Sequence, residues 1–160
     1  MDGLRGAAPH IMILEADFYK DIADALARGA IGALAESGAS FERFSVPGAF
    51  ELPAALKYAI RSMELTPSRR RFDGYIALGC VIRGETSHYD YVCGECARGL
   101  QSLAVDYALA LGFGVLTVEN RDQAWDRASI EGRNKGAEAA QACLSMIDLK
   151  RHFKLFPRIV

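Results

Sequence analysis

The stretch GCVIRGETSHYDYVCGEC, from Gly79 to Cys96, gathers the residue types most able to do chemistry. It holds three of the chain's four cysteines and one of its three histidines. Cys93 and Cys96 form a Cys-x2-Cys pair, and a GETSH turn precedes them. Zinc binding, thiol redox chemistry and anion binding all draw on such residues. A zinc site would need two more ligands at a suitable spacing, such as a second Cys-x2-Cys or a His pair. Cys143 instead stands alone, and His10 and His152 lie near the two ends. A redox pair belongs at a helix N-terminus after an early strand, whereas this pair falls a turn or two into a helical pattern. There cysteine serves as a small apolar residue, and Cys80 lies within an apolar strand run.

The anion reading starts from IRGETSH. The chain passes from a strand through Gly84 to a polar turn and then a helix. The first amides of a helix lack internal partners and carry partial positive charge. Gly84 lets backbone approach a ligand, and Thr86 and Ser87 offer hydroxyls and caps. A phosphate cradle is physically reasonable there. His88 sits where turn meets helix and can carry a proton near neutrality. Spacing alone serves equally well for a surface or capping histidine.

These residues need elements to hold them. HIMILEA (His10 to Ala16) reads as a buried strand. The following segment repeats Ile22, Leu26, Ala30 and Leu34 at helical spacing, with Gly38 as C-cap. SFERFSV alternates as a second strand, and AFELPAALKYAIRSMEL reads as a helix with Pro53 in its first turn. PSRRRFDG is a loop, and GYIALGCVI is a third, central strand. A third helix over DYVCGECARGLQSLAVDYALALG places Val92, Cys96, Leu100 and Leu103 on one stripe. FGVLTVEN is a fourth strand, RDQAWDRA a short helix, and NKGAEAAQACLSMIDLKRHFKLF a long final helix. The alternation predicts an α/β fold with a parallel sheet covered on both faces. Ligands of such sheets bind at the carboxyl ends of the strands. The segments to inspect are therefore ADFY, VPGAFE, RGETSH and TVEN.

Bulk properties agree with one domain over residues 1–160, with residues 1–9 as a flexible N-terminal arm. The chain has 160 residues, 51% of them hydrophobic, enough to fill a core. No apolar run reaches the roughly 18 residues a membrane helix needs. The N-terminus lacks the apolar core and cleavage site of a secretory signal. The chain reads as soluble and cytoplasmic, without a membrane partner. A net charge of −1 gives no basis for nucleic-acid binding. The basic stretches SRRRF and LKRHFKLFPRIV read as solvated surface.

Five segments together resemble lumazine synthase, the penultimate enzyme of riboflavin biosynthesis. They are VPGAFELP (Val46 to Pro53), ALGCVIRGETSHYDYV (Ala77 to Val92), FGVLTVEN (Phe113 to Asn120), QAWDRA (Gln123 to Ala128) and NKGAEAA (Asn134 to Ala140). Five motifs in the right order on the right elements are highly specific, and the resemblance runs from about His10 to Met146. It implies a four-stranded parallel sheet with helices on both faces, a flavodoxin-like three-layer sandwich. It implies condensation of 5-amino-6-(D-ribitylamino)uracil with 3,4-dihydroxy-2-butanone 4-phosphate to 6,7-dimethyl-8-ribityllumazine, without metal or organic cofactor. Pentamers are implied, in some members twelve to a shell, with each active site between two neighbouring subunits. Riboflavin synthase is the implied protein partner.

The same resemblance assigns roles. Phe18 would stack on the uracil ring; the alternative is a core aromatic. Ala49, Phe50 and Glu51 would meet the ring and ribityl chain, although Glu51 also suits a helix start electrostatically. Cys80, Val81 and Ile82 would run beside the pyrimidine, mostly by backbone. Gly84, Glu85 and Thr86 would present amides to the butanone phosphate, and Arg127 would supply its countercharge. His88 would move protons. Phe113 and Lys135 would come from the adjacent subunit. For Arg127 and Lys135 the alternative is an ordinary surface charge.

The chain departs from the family pattern in three places. Asp17 and Tyr19 flank the ring-stacking aromatic, SMELTPSRRRFDG is longer than expected, and the tail past Met146 is extended and basic. Two other functions compete. A lumazine or flavin carrier would use the same pocket without turnover. An electron carrier or receiver domain would need a hydroxyl-rich loop or clustered acids after strand one, where ADFYKDI stands instead.

Overall fold

A computed structural model describes residues 7–66 and 72–155. Strand β1 (His10–Ala16) is buried along its whole length and leads to α1 (Lys20–Ser37), β2 (Ser40–Val46), a 3-10 turn (Ala49–Glu51) and α2 (Leu52–Leu65). Then come β3 (Gly74–Ile82), α3 (His88–Asp106), β4 (Leu111–Val118), α4 (Arg121–Ala128) and α5 (Lys135–His152). All pairings are parallel, in the order β2-β1-β3-β4. Chain direction across the sheet reverses between β1 and β3, the switch point at which such sheets open a crevice.

Alternation along the central strands builds two cores. Ile11, Ile13, Ile76 and Leu78 point to the face covered by α1, α4 and α5. Met12, Leu14, Tyr75 and Ala77 point to the face covered by α2 and α3. The expected stripe of α3 lies on this second core, with Cys96 and Leu100 buried and Val92 and Leu103 half-buried. Strand β3 is central, as its unbroken apolar run demands.

Local signals set most boundaries. Gly38 ends α1 in the left-handed conformation, with φ of 78°, and its amide bonds back to Ala35. Pro53 falls in the first turn of α2, where its missing amide costs nothing. Asn120 caps α4 by accepting from the Gln123 amide at 2.9 Å, and Gln123 Oε1 accepts from the Glu119 amide at 2.8 Å.

The third helix is shorter than its sequence pattern predicts. It stops at Asp106, Ala108 takes a left-handed φ of 52°, and β4 begins at Leu111. Sheet pairing overrides propensity here, because the Tyr75 amide bonds to the Ala110 carbonyl at 2.8 Å and Tyr75 pairs with Leu111.

Glu15, a carboxylate buried in β1, accepts a two-pronged bond from Arg43, each prong 2.7 Å. Of the expected N-terminal arm, the described part is held: Pro9 accepts from the Ser40 amide at 3.0 Å and Ala7 from Arg151 at 2.9 Å. Of the SRRRF loop, residues 68–71 lie outside the described residues, as do residues 156–160 of the basic tail.

Candidate active site

Three helix starts converge on the carboxyl end of the sheet: α2 after Glu51, α3 at His88 and α4 after Asn120. Their unpaired first amides give this end a positive field suited to an anion. Phe18 follows β1 by two residues and is 73% exposed, so it is no core aromatic. Its ring meets Tyr19 edge-on at 5.0 Å between centroids. Phe50 is 58% exposed on the 3-10 turn, while its neighbour Ala49 is buried and offers only backbone. Glu51 is exposed and lies over Gly48, where a Cβ would stand 3.3 Å from Glu51 Oε2.

Cys80 points its side chain into the core beneath α1, which leaves backbone to serve the crevice. Burial pushes its thiol up to about 12, and that of Cys96 likewise, so both are protonated near neutrality. Cys93 is half-buried on α3, its thiol raised chiefly by burial. The cysteines of the sequence motif are thus packing residues. No group of three or more His, Cys, Asp or Glu side chains among the described residues is arranged to hold a metal ion. Val81 and Ile82 are half-buried at the strand end, against the two opposite cores.

From Gly84 to Ser87 the chain is an exposed turn. Nothing of the chain lies within 4 Å of where a Cβ would stand at Gly84. Glu85 and Thr86 are exposed, and Thr86 Oγ1 accepts weakly from the His88 amide at 3.4 Å. His88 is the first residue of α3, and its ring is exposed. The structure thereby brings Phe18, Phe50, Glu51, Val81, Ile82, the Gly84–Ser87 turn and His88 to one end of the sheet.

Phe113, Arg127 and Lys135 assemble separately. They line one cavity of about 280 Å³ along the outer edge of β4, together with Thr117 and Glu138. Phe113 pairs with Ala77 and Thr117 with Val81, so Phe113 stands four residues below Thr117, the penultimate residue of β4. That is about 13 Å along the strand. The Arg127 guanidinium rests on the Gln123 carbonyl of its own helix at 3.2 Å, and no carboxylate pairs with it among the described residues. Lys135 pairs with Glu138 at 2.8 Å on the first turn of α5.

Two groups escaped sequence reasoning. Arg83 bonds Glu119 at 2.9 Å, approaches Asp90 at 3.5 Å and lies 4.2 Å above the Tyr89 ring. The Glu119 bond holds its guanidinium above the ordinary value. Arg121 pairs with Asp21 and faces the Tyr19 ring at 6.0 Å, joining α4 to the loop that carries Phe18. The available signal was a charged residue directly after β3 and β4, Arg83 in IRGET and its partner Glu119 in TVEN; Arg121 follows two residues after Glu119.

A four-stranded parallel sheet between two helix layers, with exposed aromatics and helix starts at its carboxyl end, defines a flavodoxin-like three-layer α/β protein. Sequence comparison narrows that class. The profile of the family described as 6,7-dimethyl-8-ribityllumazine synthase matches residues 8–151, and the chain belongs to that family. Among its relatives, 6,7-dimethyl-8-ribityllumazine synthase of Bartonella tribocorum is 49% identical over 145 residues, 91% of this chain and 92% of the relative. The synthase of Agrobacterium fabrum is 49% identical over 143 residues, 89% and 95% of the two chains. 6,7-Dimethyl-8-ribityllumazine synthase 1 of Rhizobium meliloti is 51% identical over 142 residues, 89% and 92%.

Proposed function

We infer that this chain is a working 6,7-dimethyl-8-ribityllumazine synthase of riboflavin biosynthesis. It condenses 5-amino-6-(D-ribitylamino)uracil with 3,4-dihydroxy-2-butanone 4-phosphate and releases phosphate and water. The observation that carries this reading is identity near one half over about nine tenths of the chain to proteins bearing that name. A non-catalytic carrier is not favoured. It would have no use for His88, Arg127 and the GET turn together, and all three are present.

The reaction follows from the chemistry of its substrates. The uracil amine attacks the ketone and forms an imine with loss of water. Phosphate is eliminated, the side chain reorients, and ring closure releases a second water. None of these steps requires a metal or an organic cofactor. Phe18 and Phe50 give the uracil ring apolar faces, and Glu51 meets the ribityl hydroxyls. Backbone of Ala49 and of Cys80 to Ile82 borders the pyrimidine. Amides of Gly84, Glu85 and Thr86 hold the phosphate, with Arg127 as countercharge. His88 moves protons during imine formation and elimination. Holding both substrates together replaces several kcal/mol of entropic barrier.

Phe113, Arg127 and Lys135 complete the site from a neighbouring chain. The roughly 16 Å along β4 between Phe113 and the strand end at Val118 supports this division. Exposed Phe113, Trp125, Ile130, Met146 and Leu149 provide apolar surface for self-association, which we assign as a cytoplasmic pentamer of single-domain chains. Shells of pentamers and contact with riboflavin synthase belong to the same reading.

Turnover tests the function. Protein given both substrates, with a chelator present, should produce fluorescent lumazine and free phosphate. Product formation no faster than the uncatalysed condensation would refute it.

A further inference from the structure

The turn that presents the phosphate amides and His88 has little of its own to hold it. Residues Gly84 to Ser87 form neither helix nor strand, and Ser87, the N-cap of α3, makes no side-chain capping bond. A proton carrier and an anion cradle need tighter placement than such a turn supplies, because misplacement of about 1 Å can cost on the order of a hundredfold in rate. Whatever fixes His88 must therefore act from outside the turn.

We propose that Arg83 is a positioning residue that locks the first turn of α3, and with it His88, to the end of β4. Its backbone is pinned first, since the Arg83 amide donates to the Val118 carbonyl at 2.9 Å and prolongs the β3–β4 ladder. Its side chain then reaches both sides of the gap. Nε donates to Glu119 Oε2 at 2.9 Å, just beyond β4. Nη1 lies 3.5 Å from Asp90 Oδ1, and the guanidinium covers the Tyr89 ring at 4.2 Å. Tyr89 and Asp90 are the two residues after His88. Tyr89 also makes a side-chain hydrogen bond with Thr117 of β4, which lines the cavity holding Phe113 and Arg127. One arginine thus braces the start of α3 against the end of its own β4.

Two simpler roles fit less well. As a stabilising ion pair Arg83 would achieve little, because its side chain is 40% exposed and exposed pairs contribute little. As a direct phosphate ligand it would have to leave two carboxylates and an aromatic face. Arginine suits the bracing role because its planar fork can bond two acceptors while stacking on a ring, which an ammonium cannot do.

The inference rests on the reaction proposed above, and a double-mutant cycle with His88 separates the two. Arg83→Ala should lower kcat by roughly ten- to a hundredfold, with little change in thermal midpoint or in KM for the butanone phosphate. In a His88→Ala background the same substitution should lower kcat by less than about twofold, since a displaced group that is already absent cannot be displaced again. Arg83→Lys, which keeps the charge and is the fallback if the alanine variant folds poorly, should recover only part of the loss. Hydrogen exchange of the free enzyme gives a readout independent of turnover. Amides 84–90 should exchange faster in Arg83→Ala than in the unaltered chain, with the middle of β4 unchanged. Equal exchange, losses that multiply in the double variant, or a large rise in KM with kcat preserved would each overturn the positioning role. Failure of the unaltered chain to turn over would instead refute the reaction.

Discussion

Arg127 shows how much a single residue can conceal from sequence reasoning. In spacing it is one more charge on a short helix, and an ordinary surface role is the simpler reading. In the structure its guanidinium has no carboxylate partner among the described residues and faces a cavity shared with Phe113 and Lys135. Arg127→Ala should raise KM for the butanone phosphate roughly ten- to more than a hundredfold, the worth of a charge-assisted bond of about 1.5–3 kcal/mol. Binding of the uracil substrate, measured separately by fluorescence titration, should change little. Phe18 shows the reverse case: an aromatic after a buried strand could have packed inward, and its exposure turns it to the crevice. The places of Phe18, Phe50, Glu51 and His88 were legible because the order of strands and turns already puts them at the carboxyl end. Arg83 was not, because its meaning lies in Glu119 and Asp90, one of them 36 positions away. No local spacing encodes such a contact.

At the scale of elements, most of the fold could be read from periodicity and punctuation. Strands β1, β2 and β3 and helix α4 match their expected spans, the strands through their apolar positions and α4 through its Asn120 cap. The boundary between α3 and β4 was misread because YALALG is a good helical sequence until the sheet claims Leu111 as a partner for Tyr75. Close packing of α5 was equally hidden. A Cβ on Gly136 would run into the Leu26 carbonyl of α1, and one on Gly112 into the Ala139 carbonyl of α5. Gly136→Ala should therefore destabilise the protein by about 1–3 kcal/mol and lower its thermal midpoint by several degrees. Gly32→Ala is the contrast. Nothing lies within 4 Å of its Cβ position in the interior of α1, so alanine should be neutral or stabilising by up to about 1 kcal/mol. Equal effects from the two substitutions in thermal unfolding would mean that α1 and α5 do not approach as closely as described.

At the scale of the whole molecule, the proposed function divides the candidate residues of one chain into two groups. One gathers Phe18, Phe50, Glu51 and His88 at the strand ends, and the other gathers Phe113, Arg127 and Lys135 along the free edge of β4. Chemistry that needs both substrates and both sets of residues then requires a neighbour, and the exposed apolar side chains around β4, α4 and α5 supply a surface for one. The central claim is catalysis at a site shared between chains, and complementation tests it most directly. Chains bearing His88→Ala and chains bearing Arg127→Ala, each impaired alone, are unfolded, mixed in equal amounts and refolded together. In a closed cyclic oligomer about a quarter of the sites then join an intact His88 face to an intact Arg127 face. Lumazine formation should rise to about a quarter of the unaltered enzyme's rate. Activity no higher than the mean of the two separately refolded variants would place His88 and Arg127 in the same chain's site and contradict the account.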